Sequence, residues 1–170
     1  MDWQMLTLVG EDQPGIVAQV TDALFRGGCN LGEASMIRLG GNFTIMLMVR
    51  GEAELLSSLV TPVAEKLKLR FHLDPIHGGL HQHLSPNFHV RVVGADRAGI
   101  VSQVTGMLAK SGFNILELES DVVGSDDTPV YIMTIQGYSE APLETLESSL
   151  DEMDDGKIEV NISPIETLIG

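Results

Sequence analysis

An internal repeat constrains this 170-residue chain more than any other feature. Residues 6–33 align with residues 90–117 at a fixed offset of 84, with no gap. Identical residues stand at Val9, Gly10, Asp12, Gly15, Ile16, Val17, Gln19, Val20, Thr21, Leu24, Gly28, Asn30 and Glu33 and at their partners 84 residues on. That is 13 of the 28 aligned positions, where chance would give about two, so the chain holds two copies of one unit. Any fold assigned to the first copy must also serve the second.

In the first copy an apolar strand over 3–9 leads into a turn at Gly10–Gln13. Pro14 suits the first position of a helix, where its missing N–H costs nothing. Asp12 or Gln13 then falls at or just before the cap, where a carboxylate accepts a backbone N–H bond. Ile16, Val17, Val20, Ala23 and Leu24 recur at helical spacing and set the inward face. Gly27 and Gly28 end the helix, because glycine tolerates the left-handed conformation found there. Strands over 31–39 and 43–49 follow, joined by the tight-turn sequence Gly40–Gly41–Asn42. A helix over 53–67, with Leu55, Leu56, Leu59, Val63 and Leu67 apolar, and a strand over 69–73 complete the unit. The second copy repeats the order: strand 88–94, helix 98–111, strands 114–123 and 129–137, helix 142–153 and strand 157–163. Each copy is therefore expected to be β-α-β-β-α-β, an α+β ferredoxin-like unit with an antiparallel sheet and both helices on one face. The expected division is residues 1–75, a Gly-, His- and Pro-rich linker over 76–87, and residues 88–170.

The repeated chemistry sits where the first strand meets the helix, in G-x-D-x-x-G-I-V. Helix N-termini present unpaired N–H groups and a partial positive charge that favour carboxylates and phosphates. Gly15 and Gly99 leave the backbone open to close approach. Asn30 and Asn114 offer both a donor and an acceptor just past the helix. A zwitterion needs donors for its carboxylate and acceptors for its ammonium, and amides of Gly15–Val17 with Asp12 and Asn30 nearby would supply both. Asp96, Gly99, Ile100, Val101 and Asn114 repeat the set. These residues also have a purely structural reading, as a cap, a packing glycine and a turn asparagine.

The stretches D-Q-P-G-I-V…G-C-N-L and D-R-A-G-I-V…G-F-N-I resemble the ACT domain, a ferredoxin-like module. The resemblance covers both copies and implies amino-acid binding, often between two modules that pair their sheets or helices. Two tandem modules with nothing else attached resemble the glycine cleavage system transcriptional repressor family. That implies a non-catalytic regulator with a small amino-acid effector, such as glycine or serine, acting on a DNA-binding protein partner. The sites so implied are Asp12, Pro14, Gly15, Ile16, Val17 and Asn30, and Asp96, Arg97, Gly99, Ile100, Val101 and Asn114. The second copy departs from the first at Arg97 and Ala98, where Gln13 and Pro14 stand, so the two loops need not bind alike. The stretch 112–115 is also similar to acetolactate synthase small subunits, which implies a detached regulatory subunit of a biosynthetic enzyme. A dimerisation module without ligand is the third alternative.

Composition bears on partners. The net charge is −14, with 9 acidic against 6 basic residues over 1–85 and 15 against 4 over 86–170. Such a surface repels polyanions, because affinity for them comes from basic groups displacing counterions. Direct nucleic-acid binding and adsorption to anionic membranes are disfavoured, while a basic protein partner is not. No apolar run reaches the ~18 residues of a membrane span, and no secretory signal is recognisable, so the expected location is the cytoplasm. Exposed sheet edges in such units invite pairing, and a homodimer is expected.

Other signals point away from catalysis, metals and cofactors. His72, His77, His81, His83 and His89 cluster without a neighbouring cysteine and read as solvated linker side chains. Cys29 aligns with Phe113, which marks a packing position. Glu140, Glu144, Glu147, Asp151 and Glu152 read as a solvated helix face. Met46 and Met48 read as core or interface filler.

Overall fold

The computed structural model describes residues 2–76, 84–95, 99–125, 127–151 and 158–165. The chain divides into two units, Met1–Gln82 and His83–Gly170. The first contains β1 (Trp3–Glu11), α1 (Ile16–Arg26), β2 (Asn30–Leu39), β3 (Asn42–Arg50), α2 (Ala53–Leu67) and β4 (Arg70–Pro75). The second contains β5 (Phe88–Ala95), α3 (Ile100–Lys110), β6 (Asn114–Ser125), β7 (Thr128–Tyr138), α4 (Leu143–Asp151) and β8 (Ile158–Pro164). Each unit folds its strands into one antiparallel sheet, ordered β2-β3-β1-β4 and β6-β7-β5-β8. Both are the expected ferredoxin-like α+β arrangement.

Alternation along the strands explains how each helical layer docks. In β1, Gln4, Leu6 and Leu8 are buried while their neighbours are half-buried or exposed, and in β3 Phe43, Ile45, Leu47 and Val49 are buried. Successive strand side chains point to opposite faces, so the buried set shares one face. That face packs against Ile16, Val20 and Leu24 of α1 and Leu56, Val60, Ala64 and Leu67 of α2. A second core joins Val90 and Val92 of β5 and Met133 and Ile135 of β7 to Ile100, Val104, Leu108, Leu146 and Leu150. Among the described residues, each core draws only on its own unit. Each fully buried leucine contributes about 2 kcal/mol relative to exposure.

The helix faces differ in detail from expectation. Val17 and Leu55 are exposed, and the buried stripes are Ile16–Val20–Leu24 and Leu56–Val60–Ala64–Leu67. A four-residue step turns a helix by about 400°, close to one turn, so a 16/20/24 stripe leaves position 17 on the flank. The hairpin between β2 and β3 is tighter than its three-residue signature, with Leu39 paired to Asn42. Gly40 and Gly41 have φ of 56° and 74°, the two positive values that a type I′ turn requires.

One exchange shows how the copies repacked. In the first unit Cys29 packs on the core and Val49 pairs with both Gln4 and Leu31. In the second, Phe113 is buried and Gly137 pairs with Phe88 and Ile115. A Cβ built on Gly137 would lie 2.1 Å from the Phe113 ring and 2.5 Å from the Asn114 carbonyl. The ring of Phe113, packed 6.4 Å from that of Phe88, fills the volume that a side chain on β7 would otherwise occupy. Size is conserved for the site as a whole rather than at any one position.

Candidate functional site at the repeated strand–helix junction

The loop between β1 and α1 is held from two sides. The Asp12 N–H donates to the Gly41 carbonyl at 3.0 Å, and its carboxylate pairs with the Arg38 Nε at 3.1 Å. Both contacts tie the loop to the β2–β3 hairpin. On the other side, the Gln13 amide donates to the Leu67 carbonyl at the end of α2, at 2.9 Å. Lys66 donates to the Gln19 side chain at 2.6 Å. The loop is therefore positioned by the β2–β3 hairpin and by α2 before any ligand is considered.

Gly15 is the N-cap of α1, with φ 87° and ψ 3°, and no side chain caps the helix. Gly99 stands in the same place before α3, with φ 100° and ψ −7°, again without a side-chain cap. The Gly15 and Gly99 carbonyls accept the Gln19 and Gln103 amides at 3.0 and 2.9 Å. A positive φ is costly for any residue with a Cβ, so glycine is dictated here by conformation. Space around it is open: a Cβ on Gly99 would meet nothing within 4 Å, and one on Gly15 only the Gln19 side chain at 3.4 Å. The left-handed turn also explains why α1 starts at Ile16 and leaves Pro14 outside it. Asp12 and Gln13 are not caps; the first is in an ion pair and the second bonds α2.

Within G-I-V the three residues do different work. Ile16 and Ile100 are buried in the two cores, so only their backbone amides remain available to a ligand. Val17 and Val101 are exposed, at 40% and 39%. The first-turn amides, lacking a capping side chain, carry the partial positive charge of the helix end in both units.

The asparagines are not in the same place. Asn30 starts β2 and pairs with Arg50, which pairs with Trp3 at the far end of β1. Arg38, which touches Asp12, is eight residues further along β2, a separation of about 26 Å for an extended strand. Asn114 pairs with Tyr138 and likewise lies at the end of β6 remote from the β5–α3 junction. Asn30 and Asp12 therefore cannot hold one small ligand within one unit, nor can Asn114 join Gly99. The helix returns the chain to the opposite end of the sheet, a fact of βαβ geometry that residue order alone conceals. Asp96 and Arg97 lie outside the described residues.

Arg38 is the junction residue that local spacing does not reveal, being 26 positions from Asp12 (38 − 12). Its counterpart at the same offset is Val122, so the second loop lacks this arginine.

The remaining candidates fall elsewhere. His72 is in β4, bonded to Asp74 at 3.0 Å, and His89 is in β5; neither is a linker residue. His77, His81 and His83 lie outside the described residues, as does Glu152. Burial pushes the Cys29 thiol above its ordinary value, which lowers its nucleophilic fraction at neutral pH. Glu144, Glu147 and Asp151 are exposed on α4, and Glu140 precedes it. Met46 and Met48 lie on the sheet face away from the helices, opposite Thr7 and Met5. A shallow groove of about 620 Å³ runs between the first half of α2 and β4, lined by Ala53, Glu54, Ser57, Ser58, Phe71, His72 and Leu73. It includes none of the junction residues. The uncapped glycine entry to the helix, described in both copies, is the better candidate than a wide groove with little enclosure.

Comparison with known proteins agrees with the duplicated architecture. The ACT domain model matches residues 5–73 and 88–160. The glycine cleavage system transcriptional repressor of Escherichia coli (strain K12) is 23% identical over 141 residues, covering 81% of this chain and 74% of that protein. The Shigella flexneri protein of the same name matches equally. Among solved structures, an unknown protein from Galdieria sulphuraria superposes with a TM-score of 0.78 at 22% identity, covering 97% of this chain and 99% of its own. Another, provisionally named a glycine cleavage system transcriptional repressor, gives 0.70 at 19% identity, covering 96% and 98%. Two family matches that between them span both folded units leave one assignment: the chain belongs to the ACT domain family.

Proposed function

We propose that this protein is a non-catalytic amino-acid sensor, binding a small amino acid such as glycine or serine and acting through a protein partner rather than on DNA. The observation that carries the reading is the uncapped, left-handed glycine entry to α1 and α3, present in both copies. Free first-turn amides suit the carboxylate of an amino acid. Open space over the glycine suits a ligand with little or no side chain. In the first unit Arg38 adds a cation beside the junction, and Asp12 adds an acceptor. Asp96, Arg97, Gly99, Ile100 and Val101 are assigned the same task in the second. Asn30 and Asn114, at the opposite ends of their sheets, take no part in the loop site.

Similarity to the Escherichia coli repressor supports a regulatory role in glycine metabolism. The charge of −14 supports action through a protein, since it opposes approach to a polyanion. Ligand occupancy would shift an existing equilibrium between module arrangements by its differential affinity for them.

A thermal-shift screen of the standard amino acids tests this. Glycine or serine is expected to raise the melting midpoint by a few degrees at saturating concentration. The shift is expected to shrink in Gly15→Ala and Gly99→Ala. If none of the amino acids moves the midpoint, the sensor reading is wrong.

A further inference from the structure

The first sheet ends on one side in β4, an outer strand of six residues. Register shows which of its backbone groups are already engaged. The Ile76 N–H donates to the Trp3 carbonyl at 3.1 Å, one step beyond the pairing of Gln4 with Pro75. Antiparallel pairs alternate between hydrogen-bonded and open ones, so Arg70, His72 and Asp74 turn their N–H and C=O groups to β1. Phe71 and Leu73 turn theirs outward, where no strand of the described residues pairs with them. Such a row is a template for an added strand. Pro75 comes next in the outward set and has no N–H to offer, so full pairing is available only at Phe71 and Leu73.

The same two residues border the groove between β4 and α2. Their side chains are half-buried against the first core, and they line the groove with Ala53, Glu54 and Ser57 at the start of α2. A chain that paired with β4 would seat alternate side chains in that groove. The surroundings are acidic. Residues 52–58 and 71–75 include Glu52, Glu54 and Asp74 and no lysine or arginine, and His72 is bonded to Asp74 at 3.0 Å. The residue of an added strand opposite Asp74 meets a carboxylate, and opposite charges across a strand pair favour pairing. The outer strand β8 ends alike, with Pro164 paired to Phe88 as Pro75 is to Gln4. There, however, Ser163 and Asn161 stand where β4 has Asp74 and His72. The acidic position opposite an added strand is a property of β4.

We infer that β4 and the start of α2 form a docking site for an extended, basic segment of a partner protein, which joins the sheet as a fifth strand. The segment places a cation opposite Asp74 and apolar residues opposite Leu73 and Phe71. Copies of this chain, each of net charge −14, repel one another, which favours a basic protein as the occupant. The inference deepens the partner half of the proposed function and is independent of the amino-acid half.

Fluorescence anisotropy with two labelled hexapeptide amides tests it on the full chain: Arg-Lys-Val-Thr-Val-Gln and Asp-Glu-Val-Thr-Val-Gln. The basic probe is expected to saturate the protein, with an affinity about tenfold or more above that of the acidic one. Methylating both valine nitrogens removes the amides that would bond to β4 and is expected to abolish binding. Ser57→Trp, which fills the groove, is expected to weaken the basic probe by about tenfold or more. It is expected to leave the circular dichroism and the thermal shift with glycine or serine unchanged. Glu54→Lys/Asp74→Lys is expected to reverse the preference between the probes. Equal binding of both probes, no saturation by the basic one, or wild-type affinity in Ser57→Trp overturns the inference. Sedimentation velocity examines the other occupant: if the wild type self-associates and Ser57→Trp does not, the groove takes a second copy and the partner assignment is overturned. An absent amino-acid shift in the wild type strikes the sensor reading alone.

Discussion

Three kinds of glycine do three different jobs in this chain. Gly15 and Gly99 are required by backbone conformation, with φ of 87° and 100°. Replacing either by alanine is expected to cost about 1–2 kcal/mol in a urea melt, the usual penalty for a left-handed residue with a Cβ. Gly137 is required by space. Its alanine variant forces the Phe113 ring and the Asn114 backbone apart, and about 3 kcal/mol of destabilisation is expected. Gly28 is left-handed at 74° but open, a helix-ending glycine of the ordinary kind. Cys29, raised above its ordinary value by burial, is expected to react with iodoacetamide more slowly than a free thiol at pH 8, and at the free-thiol rate once the chain is unfolded. The sign follows from linkage: a raised folded-state value favours the protonated thiol. Its stabilising effect is complete below the ordinary thiol range and is lost as pH rises through the folded value.

Among the elements, the β1–α1 loop is tied both to the β2–β3 hairpin and to α2. Its ion pair to β2 involves Arg38, two-thirds exposed, so the contact orients the loop more than it stabilises the fold. Asp12→Ala is expected to lower stability by no more than about 1 kcal/mol. If the loop binds as proposed, the same substitution weakens amino-acid affinity disproportionately. Calorimetric titration beside a urea melt separates the two effects. α1 and α2 owe their stability to buried stripes rather than to caps, since neither has a side-chain cap. Leu56→Ala, at a fully buried position, is expected to cost about 3 kcal/mol.

At the scale of the whole molecule, two separate cores make each unit a candidate for independent folding. Fragments 1–82 and 83–170 are each expected to melt cooperatively by circular dichroism; a fragment without a transition would show that the unit depends on its neighbour. The charge is also a property of the whole chain. Fifteen of its 24 acidic residues lie in residues 86–170, and no gel shift of duplex DNA is expected from the protein alone at physiological salt.

Much of this was legible without coordinates because a duplication repeats its signals. Strand alternation, helical spacing, the Gly40–Gly41 hairpin and the glycine helix entry are local patterns, and local patterns dictate local structure. Helical spacing alone places Val17 on the inward face, because the period does not say which neighbour of a stripe meets the sheet; in the structure it is exposed. Spacing puts Asp12 or Gln13 at or just before the cap, whereas the left-handed Gly15, two residues beyond Gln13, resets the chain's direction and is itself the N-cap. Arg38 at the junction and the remoteness of Asn30 were not legible at all. Both depend on where a helix returns the chain across the sheet, which is settled by the packing of Ile16, Val20 and Leu24 on β1 and β3. The sequence by itself determined the elements, their order and their repetition. Only the tertiary structure decided which residues share a place, because contacts between distant segments arise from packing rather than spacing.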